Sequence, residues 1–307
     1  MKSDEPVLVV PKWFLQQTIV KQFVKNVKKR VSDDRFVGNN DAVIAITGDP
    51  GKGKSSLMLF LCKVFAGKSF SLDRNVLYSP KREEIVNKII KELKPGEPVG
   101  LDETIKALHK NKWFTKTVRF LVDFFNICRK QRKIVIFCIP RFQDLPEYFR
   151  NDRIFIRIHI IERGYAALFI RLPTPYGTGG WSWDKVGREW EKFIKKMTSQ
   201  GSRPTTEHTV RFFRKNDPTF IGVFEFPILP VEVEKAYSDR VDKVKYDLSL
   251  DNYREAPGKR AAEHSKRITL ILKKLKERGI ITKQKDLAEL AGLSQPTISM
   301  LLNRDEL

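Results

Sequence analysis

The sequence predicts an α/β protein: a mainly parallel sheet with helices on both faces, followed by a small all-α unit. Three observations carry that prediction. Apolar runs of strand length alternate with helical segments between residues 42 and 172, the pattern of a parallel sheet joined by crossover helices. A glycine-rich turn, GDPGKGKS, stands between the first such run and a helix. From residue 256 to the last residue the pattern is helical throughout.

Taken in order, residues 13–30 read as one amphipathic basic helix. Phe14, Ile19, Phe23 and Val27 recur at helical spacing, with Lys21, Lys25, Lys28, Lys29 and Arg30 between them. Its lysine-rich face with Trp13 and Phe14 suits DNA, a neighbouring subunit or a membrane surface. After the polar break SDDRFVGNND, residues 42–47 (AVIAIT) read as a strand and 54–65 as a helix. Residues 76–78 form a short second strand and 81–93 a helix, and a third strand ends at Leu101-Asp102-Glu103. A helix over 117–131 leads into 133–139 (KIVIFCI), the strongest strand signal of the chain. Residues 154–161 and 166–172 flank the turn ERGY as a hairpin.

From Pro173 the character changes. PTPYGTGGWSWD is loop-like, 185–197 is helical, and TSQGSRPTTEHT reads as a linker or long loop. Residues 220–230 are apolar and punctuated by proline, 231–246 form a charged helix, and DNYREAPGK is a second break. The expected organisation is a basic helical extension over 1–40, a core over 41–172, an accessory α+β segment over 173–255 and a helical domain over 256–307.

Composition bounds the function. The 307 residues hold 58 Lys+Arg against 37 Asp+Glu, a formal net charge of +21, with 41% hydrophobic residues. That apolar share supports a sizeable core and excludes disorder. The charge surplus points to a polyanionic partner, nucleic acid above all. The uncharged stretches 55–62 and 134–140 fall far short of the ~18–20 apolar residues of a membrane span, so no span is expected. Asp4, Glu5 and two prolines interrupt the region where a signal peptide would be apolar. Cys62, Cys128 and Cys138 have no metal-type spacing, and a reducing, cytoplasmic setting is expected.

Residues Gly48, Asp49, Pro50, Gly51, Lys52, Gly53, Lys54 and Ser55 match G-x-x-x-x-G-K-[ST] at every fixed position, and Ser56 follows. Glycines let backbone N–H groups turn inward around a phosphate without a Cβ in the way, and the helix N-terminus adds its dipole. Lys54 is placed to reach the β- and γ-phosphates, and the Ser55 hydroxyl to take one Mg²⁺ position. An apolar strand before the loop and a helix after it supply the required context. ATP with Mg²⁺ is therefore the expected ligand.

A nucleotide site needs a carboxylate at the end of another strand. Asp102, 48 residues after Lys54, is the expected metal-side carboxylate, and Glu103 the residue that polarises the attacking water. Asp144, which follows the KIVIFCI strand, is a weaker candidate. If that strand lies between the loop strand and the acidic strand, its end faces the γ-phosphate, and Arg141 or Gln143 could sense it. Arg150 and Arg153 lie near a helix-to-strand corner, from which an arginine finger could reach a neighbouring subunit; a plain basic surface is the simpler reading of either one.

With these residues in hand the chain resembles the additional-strand, catalytic-glutamate class of P-loop ATPases, which have a RecA-like core. The loop GDPGKGKS, the motif LDE, an added strand between the two and a hairpin without a four-helix lid carry the resemblance, over residues 42–172. Within that class it looks most like the FtsK/HerA and zonula-occludens-toxin-like ATPases of mobile elements and viruses. The resemblance implies ATP hydrolysis by a ring oligomer that moves or packages DNA.

Residues 284–303 (QKDLAELAGLSQPTISMLLN) lie well on a helix-turn-helix template. Ala288 fills the small position of the first helix and Gly292 the turn, while Leu287, Ala291, Leu293, Ile298 and Leu301 lock the pair. Ser294 caps the second helix, with Pro296 in its first turn. This segment resembles bacterial and archaeal helix-turn-helix repressors. Its second helix would present Gln295, Thr297, Ser299 and Asn303 to double-stranded DNA, with Arg304 near the backbone.

The leading reading is a DNA-binding, Mg²⁺-dependent ATPase that couples hydrolysis to DNA translocation, packaging or remodelling as a homo-oligomer. A replication initiator or transposition regulator of the AAA+ kind is the second, and an ATP-switched transcription regulator the third. A helical lid over 173–246 would favour the AAA+ version, and β content such as VFEFPILP counts against it.

Overall fold

The computed structural model describes residues 6–32, 40–78, 91–102, 125, 128–145, 149–172, 183–202 and 204–254. In chain order the elements are α1 (Lys12–Gln16), α2 (Thr18–Ser32), β1 (Ala42–Thr47), α3 (Lys54–Ala66), α4 (Leu72–Asn75), β2 (Val76–Leu77) and β3 (Pro98–Leu101). There follow β4 (Ile134–Ile139), β5 (Ile156–Glu162), β6 (Tyr165–Ile170), α5 (Trp183–Ser199), α6 (Thr206–Asn216), β7 (Phe220–Glu225) and α7 (Val231–Arg254). The expected helices over 81–93 and 117–131 fall mainly outside the described residues.

One seven-stranded sheet runs in the order β2-β3-β4-β1-β5-β6-β7. Its first five strands are parallel; β6 and β7 add in antiparallel fashion. The chain is thus α/β with a mostly parallel mixed sheet, the arrangement of a RecA-like P-loop core. Strands β1 and β4 sit at the centre and are buried at every position, as the near-continuous apolar runs AVIAIT and IVIFCI require. The β5–β6 hairpin turns at Gly164, whose φ of +88° suits glycine.

Two apolar clusters separate the faces. One joins Ile44, Ile46, Ile136, Ile158 and Leu168 to α2, α3 and the start of α7. The other joins Ala167, Phe169 and Val223 to α5 and α6 through Val186, Phe212 and Phe213. Against β3, α3 lies close: a Cβ at Gly100 would stand 3.1 Å from the sulfurs of both Cys62 and Met58.

The N-terminal helix differs from expectation in two ways. It breaks at Gln17, because that side chain acts as a missing strand residue at the β7 edge. Its amide nitrogen donates to the Glu225 carbonyl at 2.8 Å, and its amide oxygen accepts from the Glu225 N–H at 2.9 Å. The apolar face also turns inward, with Phe14, Val20, Phe23, Val27 and Val31 buried and Lys21, Lys25, Lys28 and Lys29 exposed. Its cationic face is left for a partner, with Trp13 and Leu15 of α1 exposed as well.

Two more corrections come from the second half. The stretch read as a loop through residue 209 already turns into α6 at Thr206. Thr205 accepts from the His208 N–H, and the His208 ring accepts from the Thr205 N–H in return. Helix α7 runs through the start of the expected break to Arg254. Chain contacts divide the protein into Met1–Val241 and Asp242–Leu307; of the latter, the described residues are the helical 242–254.

Candidate nucleotide-binding site

Register places the site. Thr47 pairs with Ile139, and Leu101 with Phe137, so β1, β4 and β3 present their C-terminal ends at one edge of the sheet. In parallel sheets that edge is where ligands bind. Strand β4 stands between the loop strand and the acidic strand, the condition under which its end faces the γ-phosphate side.

The loop over residues 48–53 is held by its glycines and by Lys52. Gly48 has φ +143°, and a Cβ there would lie 2.9 Å from the Ile160 carbonyl oxygen, so the loop runs against β5 too closely for any side chain. Its N–H donates to the Pro140 carbonyl at 3.2 Å, tying the loop to the end of β4. Gly53, left-handed at φ +94°, starts α3 with no side-chain cap. Helix geometry then directs the first-turn N–H groups toward the hollow of the loop, where an anion is favoured. Lys52 donates to the Ile161 carbonyl at 2.9 Å and pairs with Asp49 at 3.0 Å; that hydrogen bond draws the Asp49 carboxyl below its usual range. Pro50 and Gly51 form the tip, and Ser56 is half-buried in the first turn of α3.

Lys54 donates to the Gly48 and Asp49 carbonyls at 2.8 Å each, which holds its ammonium over the loop. Ser55 donates to Asp102 Oδ2 at 2.5 Å. This bond spans the width of β4 and joins the two residues that the sequence marks, 47 positions apart, as metal ligands. A hydroxyl and a carboxylate side by side form the hard-oxygen donor set that Mg²⁺ takes. Among the described residues these two fit the ion.

Residues not anticipated complete the surroundings. The Tyr237 hydroxyl, from α7, donates to the same Asp102 Oδ2. Burial, and then the adjacent carboxylate, push this phenol well above its ordinary range, so it is a donor at any physiological pH. Tyr237 also packs on Tyr78, with ring centroids 5.8 Å apart. Arg240, one turn on, grips Asp73 with Nε at 2.6 Å and Nη2 at 3.1 Å. Phe226 covers Gly53, its ring 3.4 Å from where a Cβ would be. The spacing of Val233, Tyr237 and Val241 signals an inward stripe; nothing in it points to Asp102.

The arginines separate. Arg141 is exposed and follows β4 directly, beside the loop, and Gln143 lies in the short 3₁₀ turn Phe142–Asp144 just beyond. Arg150 and Arg153 lie in the turn Phe149–Arg153, which precedes β5 and so sits at the opposite edge of the sheet. Arg153 is buried. It pairs with Asp41 at 2.7 Å and donates to the Phe125 carbonyl at 2.5 Å. A guanidinium so enclosed is a structural pair at the start of β1 and offers nothing to a neighbouring subunit. Arg150 is half-buried. Glu103, and the helix-turn-helix residues Gln295, Thr297, Ser299, Asn303 and Arg304, lie outside the described residues.

No protein-family profile matches the chain, and no curated protein matches it. Among solved structures it is similar to the N-terminal domain of zonular occludens toxin from Neisseria meningitidis, at 19% identity and a TM-score of 0.32. That match covers 44% of this chain and 87% of the other. The strand order and the Ser55–Asp102 contact stand on their own and define a P-loop-type site. Among the described residues no helix is long and apolar enough to cross a membrane.

Proposed function

We propose that the protein is an ATPase that binds double-stranded DNA and couples hydrolysis to DNA translocation, packaging or remodelling as a homo-oligomer. The Ser55–Asp102 bond carries the nucleotide half of this reading, because it unites the loop and the acidic strand across an inserted strand. The triphosphate lies on the loop N–H groups and the α3 N-terminus, with Lys54 on its β- and γ-phosphates. Ser55 and Asp102 hold Mg²⁺, which supplies neutralisation of phosphate charge. Glu103 activates the attacking water, and Arg141 or Gln143, at the end of β4, reads the γ-phosphate. Of the arginines considered as fingers, Arg150 remains.

Charge supports the DNA half. The surplus of +21 belongs to the whole chain, and Gln295, Thr297, Ser299, Asn303 and Arg304 form the proposed base- and phosphate-contacting set. Residues 223–225 belong to strand β7 of the main sheet, and α5 and α6 pack on that sheet, which favours this reading over an AAA+ lid. An ATP hydrolysis assay with and without duplex DNA, alongside mass measurement with a non-hydrolysable analogue, tests it. Stimulated turnover and a larger assembly are expected; a monomer with no stimulation overturns the reading.

A further inference from the structure

On the sheet face opposite α3, helices α5 and α6 flank an open cleft of about 450 Å³. Its floor is aromatic. Phe193 is half-buried in it, stacked on Trp190 with centroids 5.3 Å apart and packed on Phe212 at 5.5 Å. Its rim is cationic, with Lys192, Lys196, Arg211 and Lys215 against the single carboxylate of Glu189. The two helices together carry eight Lys/Arg and four Asp/Glu. The pairs Lys192–Glu189 (3.1 Å) and Arg211–Glu207 (2.8 Å) are exposed and follow helical spacing, so they hold these cations only weakly.

We infer that this cleft binds single-stranded nucleic acid, phosphates on the rim cations and a base against Phe193. A concave apolar floor between two basic ridges accepts an unstacked base, which a duplex keeps inside its helix. An acidic peptide would satisfy the rim and leave the floor unused. The chain’s charge surplus agrees with a polyanion, and the cleft is a different site from the P-loop and from the proposed duplex-reading helix.

The test uses the full chain and fluorescence anisotropy, with a labelled oligothymidine, a duplex of equal length and polyglutamate as competitor. Lys196→Ala/Lys215→Ala is expected to weaken the single strand by about tenfold and to lower its salt slope by about 1.4, two phosphate contacts’ worth. Phe193→Leu should weaken it about fivefold with the slope unchanged, as lost stacking does. The lysine variant should keep the wild-type melting temperature, and Phe193→Leu should lower it only slightly while staying folded. ATP binding should be unchanged in both, so a failure of the nucleotide reading would show separately in ATP binding. Unchanged affinity in both variants overturns the inference. So does equal loss on the duplex with no effect at Phe193, or displacement of the strand by polyglutamate at equal charge concentration.

Discussion

Tyr237 donates its hydroxyl hydrogen to the same oxygen of Asp102 that accepts from Ser55. The carboxylate proposed to serve Mg²⁺ is thereby shared with a residue of α7, which Arg240 fastens to Asp73. A cation at Ser55 and Asp102 must compete with that phenol. Tyr237→Phe is expected to lower the Mg²⁺ concentration needed for half-maximal nucleotide binding by about threefold to tenfold, the worth of one hydrogen bond near 1 kcal/mol. A Mg²⁺ titration of a fluorescent ATP analogue reads this. A requirement that rises instead would make Tyr237 a residue that orients Asp102 for the ion.

Asp102→Asn keeps the size of the side chain and an oxygen able to accept from Ser55, while removing the charge. Nucleotide affinity in EDTA should stay within about twofold of the wild type, and the gain on adding Mg²⁺ should disappear. Lys54→Ala should weaken binding under both conditions, since its ammonium is proposed to act on the phosphates directly. The two variants therefore separate metal-dependent from metal-independent binding in one titration.

Arg153 and Asp41 form a buried ion pair at 2.7 Å. Removing one partner from such a pair leaves an uncompensated charge, at a cost of about 3–5 kcal/mol. Burial raises the Asp41 carboxyl and Arg153 opposes it, so without the arginine this acid is easier to protonate. Arg153→Ala should lower the urea midpoint markedly. Mixed with Lys54→Ala subunits, it should restore no less activity than wild-type subunits do, where a finger variant would lose that complementation.

The central strands were legible because parallel strands buried on both faces read as near-continuous apolar runs, as AVIAI before Thr47 and IVIFCI after Lys133 do. The loop was legible because its chemistry fixes residue types at fixed spacing. Arg153 misled because its partner Asp41, 112 residues away, buries it in an ion pair that no local pattern announces. Gln17 and Tyr237 were invisible for a common reason. Their partners, Glu225 and Asp102, lie 208 and 135 residues away, and no local pattern encodes such a meeting. Thr205 and His208 did carry a local signal, a reciprocal cap, hidden by a histidine where glutamate or glutamine is usual.

Gly48 and Gly51 both have positive φ, and their surroundings differ. A Cβ at Gly48 meets the Ile160 carbonyl oxygen at 2.9 Å, whereas one at Gly51 meets nothing within 4 Å. Gly51→Ala should cost about 1 kcal/mol, the strain of the backbone alone. Gly48→Ala must also push the loop from β5, and about 2–4 kcal/mol is expected. Urea unfolding of the two variants measures the difference, and equal midpoints would contradict the close approach.

His159 sits beside the last residue of β1, its Nδ1 3.0 Å from the Thr47 hydroxyl and its ring edge-on to Phe213. Burial first, then the nearby cations Arg157 and Lys52, lower its pKa to about 3. The unfolded chain, with an ordinary imidazole near pH 6.5, therefore binds more protons than the folded one between these values. Stability from this residue is complete above pH 6.5 and is lost as pH falls toward 3. On the order of 1–2 kcal/mol should disappear between pH 7.5 and 5. In His159→Asn, which keeps a polar partner for Thr47 without the titration, the urea midpoint should fall less over that interval. Parallel pH profiles for the two proteins would place the acid sensitivity elsewhere.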